Sequence, residues 1–262
     1  MRWDLFIALF IIPWIATYAG SVSAVFIKTK DNRSQGALLG FAAGVMIAAS
    51  IWSLVIPAFD QAGNSLQGGV VVTIGFLLGC LGMLGLDKIV PHKHNEQELT
   101  EGVPSHLSRP MLLVLAVALH NIPEGLALGV VAASAMGNSG VSISSALMFG
   151  LGLGLQNYPE GLAVVMPLYQ SGYSKKRCIR LGFIASLVEP AAALVGLAFT
   201  SILTSMGGFI LPMMLSIAAG AMIFIVVEEL IPESQAVESQ HFATYGFLLG
   251  FWVMALMGIM GA

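Results

Sequence analysis

The chain has 262 residues, 57% of them hydrophobic and only 10% charged, with a formal net charge of −3. Soluble domains carry about 25% charged residues, so this chain lacks the charges to clothe a water-facing surface. The balance also excludes a basic nucleic-acid surface, and Cys80 and Cys178 form neither a disulfide framework nor a CxxC metal or redox motif.

About 20 apolar residues are needed to cross the roughly 30 Å hydrocarbon layer of a bilayer. In chain order eight stretches qualify: Leu5–Ile27, Leu38–Phe59, Val70–Val90, Met111–Ala133, Ile143–Leu168, Leu181–Ile202, Gly208–Ile231 and Phe242–Met260. The first is too long for a signal-peptide core and no A-x-A site follows it, so it reads as a span. Runs this continuous lack the alternation of a barrel strand. The expected fold class is all-α: a polytopic membrane protein with eight transmembrane helices in a single domain over residues 1–262.

Basic residues orient the set. Lys28, Lys30 and Arg33 follow the first span, Lys88, Lys93 and Arg109 surround the loop after the third, and Lys175, Lys176, Arg177 and Arg180 follow the fifth. Ten of the eleven Lys and Arg residues thus fall on one side, which leaves Arg2. That side is read as cytoplasmic, with both termini outside. The loop at about 91–110, PHKHNEQELTEGVPSHLSRP, is then cytoplasmic. Its histidines His92, His94 and His106 read either as part of a solvated linker or as a weak metal-collecting segment.

Short words repeat along the spans. AAGVMI (Ala42–Ile47) returns as AAGAMI (Ala218–Ile223) 176 residues later, and GFLLG (Gly75–Gly79) returns at Gly246–Gly250 after 171. PEGLA occurs at Pro123 and at Pro159. The repeated spans run in opposite directions across the membrane, the mark of inverted repeats. A 3+2+3 arrangement follows, with spans one to three mirrored by six to eight around a central pair.

That central pair carries the chemistry. HNIPEG (His120–Gly125) and QNYPEG (Gln156–Gly161) interrupt otherwise apolar runs. Counted from the inner span ends at the helical rise, His120 lies roughly 14 Å deep, Glu124 roughly 20 Å, and Glu160 and Glu189 roughly 12 Å. A carboxylate near the midplane costs about 2.5–3.5 kcal/mol on insertion scales, so it must face a partner or a water-filled cavity. His120 and Glu124 are four residues apart, as are Gln156 and Glu160, so each pair shares a helix face. Asn121 and Asn157 border those faces. Pro123 and Pro159 each remove a backbone hydrogen bond and crowd the carbonyls of Leu119 and Leu155, which predicts kinks. Two such faces converging would offer imidazole, amide and carboxylate groups to a divalent first-row metal. Glu189 also precedes a mid-span proline. Asp87, with Glu228 and Glu229, reads either as an acidic exit or as plain interfacial charge. The dispersed methionines read as packing.

These paired motifs resemble those of the ZIP (Zrt-, Irt-like) divalent metal transporters, and HNIPEGLALGV with QNYPEGLAVVMPL is most similar to their GufA-type branch. The resemblance spans the chain. It implies transport of Zn²⁺, or of similar ions such as cadmium, iron or manganese, toward the cytoplasm through a two-metal site. One ion would be held by His120, Glu124, Gln156 and Glu160, and the other by Asn121, Glu124, Asn157, Glu160 and Glu189. Asn157 stands where some members carry Asp. Met46, Ala49 and Ser53 match pathway-lining positions of the family. The expected setting is the inner membrane of a bacterium. Divalent metal ions and the lipid bilayer are the partners, a homodimer is admitted, and no catalytic cofactor or nucleic acid is expected. Two rival functions remain at this stage. An intramembrane metalloprotease would want HExxH, and HNIPE has no second histidine at i+4. A proton-coupled carrier of an organic solute would use the carboxylates differently.

Overall fold

The computed structural model describes residues 3–27, 32–63, 65–89, 109–137, 140–204, 207–236 and 241–261. The described residues form eight helices: α1 (Trp3–Ala24), α2 (Arg33–Ala62), α3 (Leu66–Ile89), α4 (Arg109–Met136), α5 (Ile143–Gln170), α6 (Lys175–Leu203), α7 (Ile210–Ala236) and α8 (Phe242–Gly261). Among the described residues no strand occurs. Seven of the helices are long and apolar enough to cross a membrane. The remaining one, α5, is long enough at 28 residues, but Gln156, Asn157 and Glu160 dilute its apolar character. It packs against α1, α2, α4, α6 and α8 and so meets lipid over a narrow strip only.

The tightest helix pairs are α2 with α8, α4 with α6, α1 with α5, and α3 with α7. Glycine makes these approaches possible, and in two of them the glycines sit in the repeated words. A Cβ at Gly44 would overlap the carbonyl oxygen of Phe247, and one at Gly220 that of Phe76. Gly44 and Gly220 are equivalent in the first word; Phe76 and Phe247 are equivalent in the second. Swapping the repeats therefore turns the α2–α8 contact into the α3–α7 contact. Small residues at such crossings let backbones meet, which is how helices associate where lipid removes the hydrophobic driving force.

The same exchange relates α1–α5 to α4–α6. Asn157 of α5 donates to the Pro13 carbonyl of α1 at 3.2 Å, and Asn121 of α4 donates to the Ala185 carbonyl of α6 at 3.0 Å. Gly161 lies against the Thr17 carbonyl as Gly125 lies against that of Glu189. Thr17 is to α1 what Glu189 is to α6.

Three helices change their winding. α2 passes through a π-helical segment at Ser50–Val55 and α7 through one at Val226–Leu230. These begin 176 residues apart, the offset of the first repeated word, and each is followed by Ile-Pro. A π segment is a usual response to a residue that disturbs the regular ladder, and it is often found at functional sites. α1 has its own π segment at Ile7–Ile11. α6 breaks at Leu187, two residues before Glu189. The predicted kinks at Pro123 and Pro159 do not interrupt α4 or α5, which are continuous helices with the prolines inside.

Candidate metal centre

Four helices bring their polar residues to one place. α4 supplies His120, Asn121 and Glu124, α5 supplies Gln156, Asn157 and Glu160, α6 supplies Glu189, and α7 supplies Glu229 and Glu233. The first seven are all buried; Asn121, Gln156 and Asn157 have no exposed surface at all. Nothing but packing holds such groups away from water, so their hydrogen bonds must be accounted for one by one.

Gln156 Nε2 donates to Glu124 Oε1 at 2.9 Å, linking α5 to α4, and to Asn157 Oδ1; it reaches Glu160 Oε2 at 3.5 Å. Asn157 Nδ2 donates to both carboxylate oxygens of Glu189, at 2.8 and 2.9 Å. His120 Nε2 lies 3.1 Å from Glu229 Oε2, an ion-pair distance without hydrogen-bond alignment. After these contacts His120 Nε2, Asn121 Oδ1, Glu124 Oε2, Gln156 Oε1 and Glu160 Oε1 are buried with no hydrogen-bond partner. Elsewhere among the described residues only Trp14 Nε1 and Thr200 Oγ1 share that condition. His120 Nε2 has the Glu229 carboxylate beside it; the other four are oxygens with lone pairs left over in one spot, which is costly in a protein interior unless something else binds them there.

Among the described residues no three His, Cys, Asp or Glu side chains converge as a ready ligand set. The cluster becomes a donor set only when its amides are counted, and its carboxylates are engaged with those amides rather than with each other.

A cavity adjoins the cluster, lined by His120, Glu124, Glu160 and Glu233 with Leu39 and Leu230 among its apolar walls. Leu39 lies near the start of α2, and Leu230 and Glu233 near the end of α7. Both are helix ends that the basic residues assign to the cytoplasm. Met46, Ala49 and Ser53 lie further along α2, fully buried or nearly so, and none of them lines this cavity. Met46 and Ala49 belong instead to the large apolar core with Leu128, Val131, Phe149 and Leu153.

The remaining expectations divide. Glu229 joins the site through His120, whereas Glu228 is exposed on the same turn. Nothing is described of the Asp87 side chain, and His92, His94 and His106 lie outside the described residues. Sequence reading missed Glu233 and the Pro13 carbonyl. Glu233 is four residues beyond Glu229, on one helix face, and that spacing was the available signal. A backbone carbonyl leaves no signal in sequence.

An all-helical bundle with a buried, polar, under-bonded site defines a polytopic membrane protein built around a small hydrophilic ligand. Residues 91–258 match the ZIP Zinc transporter family. The chain is 38% identical over 248 residues to zinc transporter ZIPB of Bordetella bronchiseptica, covering 92% of this chain and 76% of that protein. It is 34% identical over 246 residues to zinc transporter GufA of Myxococcus xanthus, covering 92% of each, and 31% identical over 325 residues to human zinc transporter ZIP11, covering 94% of each. The chain belongs to the ZIP zinc transporter family. The GufA similarity supports the branch that the paired motifs suggested.

Proposed function

We propose that this protein carries divalent metal ions, zinc first among them, across the membrane toward the cytoplasm. The observation that carries the reading is the set of four buried, unpartnered oxygens contributed by Asn121, Glu124, Gln156 and Glu160, with the His120 imidazole beside them. Imidazole nitrogen and carboxylate and amide oxygens suit first-row divalent ions. Relatives named as zinc transporters support the same cargo.

In this reading Glu124 and Glu160 bridge two ions. His120 and Gln156 complete one ligand set, and Asn121, Asn157 and Glu189 the other. Because Asn157 and Glu189 already satisfy each other by hydrogen bonds, the second set binds more weakly than the first. Glu229 and Glu233 receive the ion as it leaves toward the side on which the adjoining cavity lies. The protein is a transporter and not a hydrolase, and it sits in the inner membrane of a bacterium; bacterial relatives from Bordetella and Salmonella support that setting.

The test is uptake of labelled Zn²⁺, Cd²⁺, Mn²⁺ and Fe²⁺ into proteoliposomes. Glu124→Ala and Glu160→Ala abolish uptake while membrane insertion stays intact, because removing a buried anion makes insertion easier. Normal uptake by both single variants at equal protein levels would falsify the proposal.

A further inference from the structure

Gln156 addresses three acceptors through a single nitrogen. Its Nε2 faces Glu124 Oε1, Asn157 Oδ1 and Glu160 Oε2, while its Oε1 is buried and accepts nothing. The orientation of this amide is dictated from further back. Asn157 Nδ2 is surrounded by acceptors only: the Pro13 carbonyl at 3.2 Å and both Glu189 oxygens at 2.8 and 2.9 Å. Asn157 must therefore turn Oδ1 toward Gln156, and an oxygen there requires Gln156 to answer with its N–H groups.

The three oxygens that Nε2 engages are among those a cation at this place would need. An N–H donor and a cation cannot approach these oxygens from the same side, because the amide hydrogens would point at the positive charge. We propose that Gln156 is a built-in competitor for the ion. Its Nε2 holds Glu124, Asn157 and Glu160 by hydrogen bonds until a divalent cation displaces it, and the carboxamide then turns over to present Oε1. Asn157 already presents its oxygen on that side and stays as it is.

This inference rests on the metal-binding reading and makes Gln156 a determinant of selectivity within it. An ion that takes the oxygens facing Nε2 has to replace these hydrogen bonds. A cation that gives up its own water reluctantly, as Mg²⁺ does, gains least from the exchange. Zn²⁺ gains most, since His120 adds a nitrogen ligand.

The experiment uses the full chain in lipid nanodiscs with ¹⁵N-labelled glutamine and asparagine side chains. The Gln156 and Asn157 amide resonances are assigned by their loss in Gln156→Glu and Asn157→Asp. Zn²⁺ is titrated, and bound Zn²⁺ is measured independently by equilibrium binding of the radioactive ion. The expected result is that the Gln156 resonance shifts at the midpoint of Zn²⁺ binding. Its protons should also exchange with solvent at least about tenfold faster, the factor carried by loss of one hydrogen bond to a charged group. Slow exchange at Asn157 is retained, and Mg²⁺ leaves both signals in place. Zn²⁺ binding with an unmoved Gln156 resonance overturns the competition while leaving the metal site standing. Faster exchange at both amides means that the site opens as a whole, which also overturns it. Failure to bind Zn²⁺ at any concentration overturns the metal-site reading and this inference with it.

Discussion

His120 and Gln156 occupy equivalent places in the two central motifs, yet they meet opposite surroundings. The imidazole faces the Glu229 carboxylate of α7, whereas the amide faces inward across the α4–α5 contact to Glu124. An imidazole must be unprotonated to bind a metal, and one in water titrates near pH 6.5, so each imidazole ligand makes affinity fall with acid. An amide oxygen does not titrate. Gln156→His thus raises Zn²⁺ affinity at neutral pH, roughly tenfold for one nitrogen ligand gained, and steepens the loss of binding as the pH falls. Competition binding from pH 5.5 to 8 on both proteins checks this; identical profiles would remove Gln156 from the ligand set. At this scale the motifs were legible because buried His, Asn and Glu are expensive in a span and recur with one spacing. Glu233 was passed over, because an acid just past a span end looks like any interfacial charge, and its i+4 spacing from Glu229 was the one signal it gave.

Helix pairing is where repetition in the sequence became contact in the structure. The words AAGVMI and GFLLG pair across helices, so that a glycine in one meets the backbone of the other. Replacing Gly44 by Ala drives a Cβ into the Phe247 carbonyl and forces α2 away from α8. The cost is that of overpacking, about 1–3 kcal/mol or more. Gly82 of α3 has open space where a Cβ would lie, so Gly82→Ala stabilises or leaves stability unchanged within about 1 kcal/mol, the helix-propensity gain. Thermal unfolding of the two variants in one detergent separates the effects, and equal melting shifts would refute the pairing argument. The π segments in α2 and α7 could not be read from the sequence. Pro57 and Pro232 signal a disturbed helix, but proline alone does not say whether a chain kinks, breaks or widens. The outcome depends on neighbours in space: α4 and α5 stay continuous through their prolines, while α6 breaks at Leu187, three residues before Pro190.

For the molecule as a whole, the span count, the central pair and the tight pairings agree with the inverted 3+2+3 plan. Its sidedness follows from the distribution of Lys and Arg. On that sidedness the carboxylates adjoin a cavity on the inner side and apolar packing on the outer side. The His-bearing loop after α3 lies outside the described residues; the basic residues around it assign it to the inner face, and we propose that it collects or releases ions without replacing a buried ligand. Changing His92, His94 and His106 together to Ser therefore leaves at least about half of the Zn²⁺ uptake, a change of well under 1 kcal/mol in the barrier. Complete loss of uptake in correctly inserted protein would make the loop an obligatory part of the path.

The position of α5 has a consequence for how the protein is made. This helix leaves the ribosome as the least apolar of the spans, with Gln156, Asn157 and Glu160 near its middle and no basic residue between Ile143 and Gln170 to neutralise the glutamate. Alone in lipid it would meet the full penalty for its glutamate. α4, synthesised just before it, carries Glu124, the acceptor for Gln156, and α1 already offers the Pro13 carbonyl to Asn157. Immediately after α5 come Lys175, Lys176, Arg177 and Arg180, a basic cluster that resists translocation and retains the C-terminal end of α5 on the inner face. The machinery that inserts this chain must therefore shelter α5 beside its earlier neighbours until α6 arrives with Glu189. The residues that suit the finished protein to a charged cargo also make its fifth crossing a cooperative event.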